Sequence, residues 1–120
     1  MTPLKISVGT DIESIERFAG KTIENNEKFL KHIFTQNELN YCFSKGCPEQ
    51  HLCARFCAKE AVIKALSDFN KKETAMTEIE IFNQEGGAPY VVVKNENNIT
   101  IKLSMSHTNS FATATAIAYK

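Results

Sequence analysis

The sequence predicts an α+β fold: an N-terminal strand, a set of helices including one long central helix, and then an antiparallel β-meander. Three observations predict it. Residues 4–10 alternate apolar and polar with period two, residues 49–68 run without a helix breaker in a 3.6-residue apolar pattern, and after Lys72 the period returns to two.

In the first strand Leu4, Ile6 and Val8 alternate with Lys5, Ser7 and Gly9, the pattern of a strand with one buried face. Thr10 and Asp11 are N-cap residue types, and Glu13 follows Thr10 at capping-box spacing, ahead of Ile12, Ile15 and Phe18. A helix is therefore expected at once, with Asp11 at the strand-to-helix junction. Residues 21–34 are polar with sparse apolar positions (Ile23, Phe29, Leu30, Ile33), which predicts a loop and a short helix. Thr35-Gln36-Asn37-Glu38 is a second capping box, and Phe34 and Leu39 occupy the places of a hydrophobic staple, so a helix is expected from about Gln36 to Phe43.

Ser44 to Pro48 reads as a turn, with Pro48 placed to open the long helix, whose Leu52, Phe56, Ile63 and Leu66 share one apolar arc. Lys59 falls inside that arc, and Glu60 and Lys64 lie along its border. Residues 78–83 and 90–94 form the arms of a hairpin around Gly86-Gly87-Ala88-Pro89. Ile99, Ile101, Leu103 and Met105 then share a strand face that ends at His107. Ala112, Ala114, Ala116 and Ala118 give the last strand a flat face suited to close packing against a helix.

A chain of 120 residues with 42% hydrophobic and 23% charged side chains is sized for one soluble domain over residues 1–120. Its 14 basic and 14 acidic side chains cancel, so no global field holds nucleic acid or an anionic membrane, and a polyanionic ligand must meet a local cluster. The opening residues lack a charged leader followed by an apolar run, and nowhere are apolar residues continuous enough to span a bilayer. A cytoplasmic protein is expected. Cys42, Cys47, Cys53 and Cys57 match neither a paired CxxC zinc site nor a secreted disulfide framework, so reduced thiols are expected.

Charges beside a buried stripe call for a reason, because unpaired buried charge is costly. One reading is structural: the lysine stems lie on apolar surface with their heads in water, and Glu60 pairs with Lys64 at i, i+4. The other makes the helix edge bearing Arg55, Lys59, Glu60 and Lys64 the wall of an anionic ligand site. If Asp11 and Glu60 converge, two carboxylates are what Mg²⁺ requires once phosphate oxygens and waters complete its octahedron. Lys64 is then in reach of a phosphate, and His107 can donate to one or move a proton. The plainer alternatives are that Asp11 is an N-cap and His107 a satisfied structural histidine. No P-loop, Rossmann glycine motif, nucleophile elbow or HExxH occurs.

Three segments carry a resemblance to a known family. They are Val8-Gly9-Thr10-Asp11-Ile12-Glu13 through Arg17-Phe18, then Ala54-Arg55-Phe56-Cys57-Ala58-Lys59-Glu60-Ala61-Val62-Ile63-Lys64-Ala65, and Ser104-Met105-Ser106-His107-Thr108 with the alanine-rich strand after it. In their order they resemble the small holo-acyl-carrier-protein synthases of the 4'-phosphopantetheinyl transferase superfamily. The resemblance implies transfer of phosphopantetheine from coenzyme A to a serine of apo acyl carrier protein, in support of fatty acid biosynthesis, with 3',5'-ADP leaving. It also implies Mg²⁺ on Asp11 and Glu60, phosphate contacts from Lys64 and His107, and the adenosine 3'-phosphate end at Arg55, Gly87 and Pro89. Arg17 and Lys28 would meet the carrier protein, and a homotrimer would place sites between subunits. His32 stands where the family commonly has arginine, Cys57 where it has alanine, Ser67 where it has glycine, and Ala88 where lysine is frequent.

Two other functions use the same residues. A non-catalytic module binding coenzyme A or a carrier protein would use Arg17, Lys28, Arg55 and Lys64 without magnesium. A metal-dependent phosphodiesterase would act on a free nucleotide without a carrier.

Overall fold

The computed structural model describes residues 3–70 and 72–120; Met1, Thr2 and Lys71, which the single-domain reading includes, lie outside the described residues. Strand β1 (Ile6–Ser14) pairs antiparallel with β5 (Phe111–Tyr119) from Ile6 opposite Tyr119 to Ser14 opposite Phe111. Strand β4 (Thr100–His107) takes the other edge of β5, giving a three-stranded sheet in the order β1-β5-β4. Strands β2 (Ile79–Asn83) and β3 (Pro89–Val93) form a separate antiparallel pair. The α+β class holds, but the expected four-strand meander is divided between two sheets, because β3 and β4 share no ladder, and β1 adds a strand at the remaining edge of β5.

Helix α3 (Pro48–Leu66) packs against all three strands of the larger sheet. The alanine face is what admits it: Ala112, Ala114, Ala116 and Ala118 are all buried. Gly9 is the tightest point. A Cβ there would lie 2.0 Å from the Ala61 carbonyl oxygen and 2.7 Å from the Ala65 amide nitrogen, backbone atoms that cannot swing aside.

This close approach overturns the expected orientation of β1. Ser7 and Gly9 face α3, whereas Leu4, Ile6, Val8 and Ile12 are 61–66% exposed on the opposite side. Only small side chains fit under the helix, so the larger apolar ones turn outward.

The helix expected after Asp11 is also absent. Strand β1 continues to Ser14, held by its register with β5, and only residues Ile15–Phe18 coil, as one turn of 3-10 helix. Long-range pairing overrides a local capping signal here. Helix α1 (Ile23–Ile33) follows with a non-helical Asn26 near its start. Helix α2 (Gln36–Phe43) begins as expected, with the Thr35 hydroxyl accepting from the Glu38 amide and the Glu38 carboxylate accepting from the Thr35 amide.

Around α3 the burial is broader than a single arc, extending through Cys53, Ala54, Cys57, Ala58, Ala61, Val62 and Ala65, while Ile63 is only partly covered. A helix enclosed on most sides suits a central position. Phe18 joins it to α1, its ring 6.2 Å from Phe29, 6.1 Å from Phe34 and 5.6 Å from Phe56.

The reading in which lysine heads reach water fails at Lys59, whose side chain is wholly buried. Its ammonium pairs with Glu38 Oε1 at 2.5 Å and donates to the carbonyls of Ile33 and Met76 at 2.8 and 3.0 Å. The core cysteines are unpaired thiols, and burial pushes the Cys42 thiol up to about 12, which keeps it protonated and unreactive.

Candidate active site

Because β1 extends through Ser14, Asp11 sits inside a strand, on the same side as Gly9, and therefore toward α3. It is not an N-cap. Its carboxylate Oδ1 lies 3.4 Å from Lys64 Nζ, and that ammonium also donates to the Thr10 carbonyl at 2.8 Å. Lys64 has thus turned to β1 rather than into the expected i, i+4 pair with Glu60.

Glu60 lies one turn before Lys64 on the same helix. Burial, and after it the negative charge of Asp11, raise its carboxyl above the usual value, while Lys64 and Arg17 pull the other way. The two carboxylates are therefore close enough to repel, and a bound cation would relieve that repulsion. Among the described residues no group of three or more His, Cys, Asp or Glu encloses an ion. The donor set fits a hard divalent cation that keeps waters and shares a ligand's phosphate oxygens, not one held in a closed protein cage.

Glu60 also opens onto a cleft of about 800 Å³ lined by Arg17, Lys28, Phe29, His32 and Phe56. Arg17 pairs with Glu13 at 2.6 Å and lies over the Phe56 ring at 4.8 Å, which fixes the guanidinium at the cleft edge. Cations here stand beside an apolar wall.

A second, smaller cleft of about 270 Å³ gathers Arg55, Gly87, Pro89 and His107. Arg55 is 2% exposed, its NH2 group donates to Asn83 Oδ1, and its guanidinium stacks on Tyr41 at 4.1 Å. Asn83 in turn donates to the Gly87 carbonyl at 3.1 Å, tying the glycine turn to the arginine. Gly87 has φ +94°, a conformation that favours glycine. His107 is exposed, with Nδ1 3.3 Å from the Thr108 carbonyl.

The sequence-derived candidates thus form two groups. Asp11 and Lys64 are in contact, Glu60 lies one helical turn before Lys64, and Arg17 and Lys28 line the cleft that Glu60 opens onto. Arg55, Gly87, Pro89 and His107 meet in the other cleft, whose lining includes none of the first three. Sequence reasoning missed Tyr41, His51 and Asn83 in that second cleft. The i, i+4 spacing of His51 and Arg55 would have placed both on one side of α3, whereas Tyr41 and Asn83 arrive from other elements and left no local signal.

Residues 7–116 match the family model described as the 4'-phosphopantetheinyl transferase superfamily. The chain is 43% identical over 116 residues to a holo-[acyl-carrier-protein] synthase of Chlamydia trachomatis, covering 92% of this chain and 97% of that one. It is 34% identical over 119 residues to the protein of the same name from Protochlamydia amoebophila, covering 95% and 98%. The crystal structure of a holo-(acyl-carrier-protein) synthase from Bacillus anthracis in complex with CoA (3',5'-ADP) superposes with a TM-score of 0.78 at 30% identity, covering 95% of this chain and 96% of that one. With the α+β topology, the carboxylate pair between β1 and α3 and these similarities, the chain belongs to the holo-[acyl-carrier-protein] synthases of the 4'-phosphopantetheinyl transferase superfamily.

Proposed function

We propose that residues 1–120 act as a single domain that transfers 4'-phosphopantetheine from coenzyme A to a serine of apo acyl carrier protein, in the cytoplasm and in support of fatty acid biosynthesis. The observation that carries the reading is the ion pair between Asp11 on β1 and Lys64 on α3, with Glu60 one helical turn before Lys64 and within reach of the Asp11 charge. Asp11 and Glu60 would hold Mg²⁺, which when bound would neutralise charge on the coenzyme A pyrophosphate. Lys64, already anchored on the Thr10 carbonyl, would swing its ammonium from Asp11 to a phosphate oxygen.

The serine oxygen would attack the β-phosphorus. The new P–O bond would replace the bond to the 5'-phosphate of the nucleotide, 3',5'-ADP would leave, and the serine proton would pass to solvent or a nearby base. Arg55, Gly87, Pro89 and His107 would receive the adenosine 3'-phosphate end, since a buried guanidinium and a side-chain-free backbone suit a phosphate. Arg17 and Lys28 would meet the acidic surface of the carrier protein and speed encounter.

The same reading calls for a homotrimer with its sites between subunits. Two features support assembly: the metal-side and adenosine-side residues line separate clefts of one chain, and the outer sheet face exposes Ile6, Val8, Ile12 and Ile117. The deciding experiment is the intact mass of apo acyl carrier protein after incubation with this protein, coenzyme A and Mg²⁺, beside a chelated control. A metal-dependent gain of one phosphopantetheine supports the transferase. Coenzyme A binding without any gain would move the reading to a non-catalytic module, and nucleotide hydrolysis without carrier would move it to a phosphodiesterase.

A further inference from the structure

His51 lies one turn before Arg55 on α3 and lines the same cleft as His107. Its ring meets Tyr41 edge to face, with centroids 5.6 Å apart and planes at 79°, while the Arg55 guanidinium covers the face of that tyrosine. Tyr41 is thus a shared support that orients an imidazole and a guanidinium toward one space. Among the described residues Arg55 Nε is buried without a hydrogen-bond partner, so this cation has a donor left for a ligand. No carboxylate lines the cleft among those residues.

We propose that His51 is a further substrate-binding residue, which with Arg55 and His107 selects a ligand carrying a terminal phosphate monoester at this end. The proposal deepens the reading of the chain as a coenzyme A enzyme and rests on it: coenzyme A carries such a group on its 3'-oxygen, and 3'-dephospho-coenzyme A lacks it.

The groups facing His51 are Arg55 from its own helix, Lys45 from the turn after α2, His107 from β4, and Tyr41 from α2. Burial first, then Arg55, Lys45 and His107, hold its imidazole below the ordinary 6.5, so it is neutral near pH 7 in the unliganded cleft. A dianion placed among the same groups reverses the field. Binding then takes up a proton, and affinity for the monoester rises as pH falls.

The test is titration calorimetry of coenzyme A and 3'-dephospho-coenzyme A into the wild-type protein, His51→Gln and His51→Lys, at about pH 6 and about pH 8, in two buffers of different ionisation enthalpy. Wild type is expected to bind coenzyme A roughly tenfold more tightly at the lower pH than at the higher, with net proton uptake, since protonation of one linked group on binding couples affinity directly to pH. Dephospho-coenzyme A should show little of either effect. His51→Gln should lose much of the pH dependence and of the preference for coenzyme A while keeping its affinity for the dephospho compound, which also reports that the variant is folded. His51→Lys should bind coenzyme A tightly at both pH values. An unchanged preference and pH profile in His51→Gln would overturn the assignment of His51 alone. Failure of either compound to bind the wild type would overturn the coenzyme A reading and this proposal with it.

Discussion

Lys59 and Glu38 form an ion pair closed to solvent, Nζ to Oε1 at 2.5 Å, at the meeting point of α3, α2 and the smaller sheet. The carboxylate has further duties: it accepts from the Thr35 amide at the start of α2 and, through Oε2, from the Ile81 amide of β2 at 2.8 Å. Burial lowers the Lys59 ammonium below its usual value, and Glu38 opposes that change. The pair fixes one arrangement of three elements, since each of its polar atoms is matched only in that arrangement.

Removing one partner strands the other's charge. Lys59→Met is therefore expected to lose about 3–5 kcal/mol of stability, read as a lower urea midpoint. Adding Glu38→Gln should recover part of that loss, because the buried charge is gone, although the single amide oxygen can accept from only one of the Thr35 and Ile81 amides. A Lys59→Met variant as stable as wild type would show that the pair contributes nothing.

Glu60→Gln is expected to separate activity from stability. A metal supplies several kcal/mol of charge stabilisation, so transfer should fall by about a hundredfold or more when a ligand is lost. The folded protein, by contrast, holds the Glu60 carboxyl above its ordinary 4.5. Between that value and the raised one, the folded state keeps a proton that the unfolded state has released, so wild type loses stability as pH rises through this window. The glutamine variant escapes that loss. Its melting temperature at neutral pH, without metal, should equal or exceed that of wild type, and the difference should vanish below about pH 4. Full activity in magnesium would remove Glu60 from the ligand set.

The parts of the fold readable in the sequence were those fixed locally. The α2 capping box, the Pro48 start of α3 and the alanine face of β5 each follow from a few neighbouring residues. The parts that were not readable depend on distant ones. The capping pattern around Thr10 was outweighed by β5, and the apolar alternation of β1 marked the outer face because α3 leaves no room above Gly9. At the site, Glu60 and Lys64 were marked by charge placed beside a buried stripe, and Asp11 by its place at the end of the first strand's alternation. The anchoring of Lys64 on the Thr10 carbonyl and the Tyr41 platform were not, since both need the tertiary fold.

Gly9→Ala tests the closest approach directly. The added methyl would collide with backbone of α3, so strand and helix must separate, at about 1–3 kcal/mol or more. Asp11 is two residues on along the same strand face, so the carboxylate pair should be disturbed as well. Lower thermal stability together with weaker magnesium dependence of transfer is the expected result, and a variant normal in both would show that the strand can shift freely.

The exposed face of β1 bears on assembly rather than on the fold of one chain. Val8 is 64% exposed and stands opposite Ile117 in the sheet register, itself 43% exposed, so Val8→Lys removes nothing from the core. A single chain should accept the lysine and keep its helical spectrum. In a trimer built on this face the ammonium would be buried without a partner, which the assembly would not tolerate. For the proposed homotrimer, the sedimenting mass should fall from three chains to one. Transfer should fall about a hundredfold or more with it, because misplacing reacting groups by even an ångström is that costly and here two halves of a site would part. A variant that stays trimeric and active would relocate the interface. One that dissociates yet keeps full activity would establish that each chain completes its own site, and the separation of Glu60 from His107 into two clefts would then have to be closed by movement within the chain.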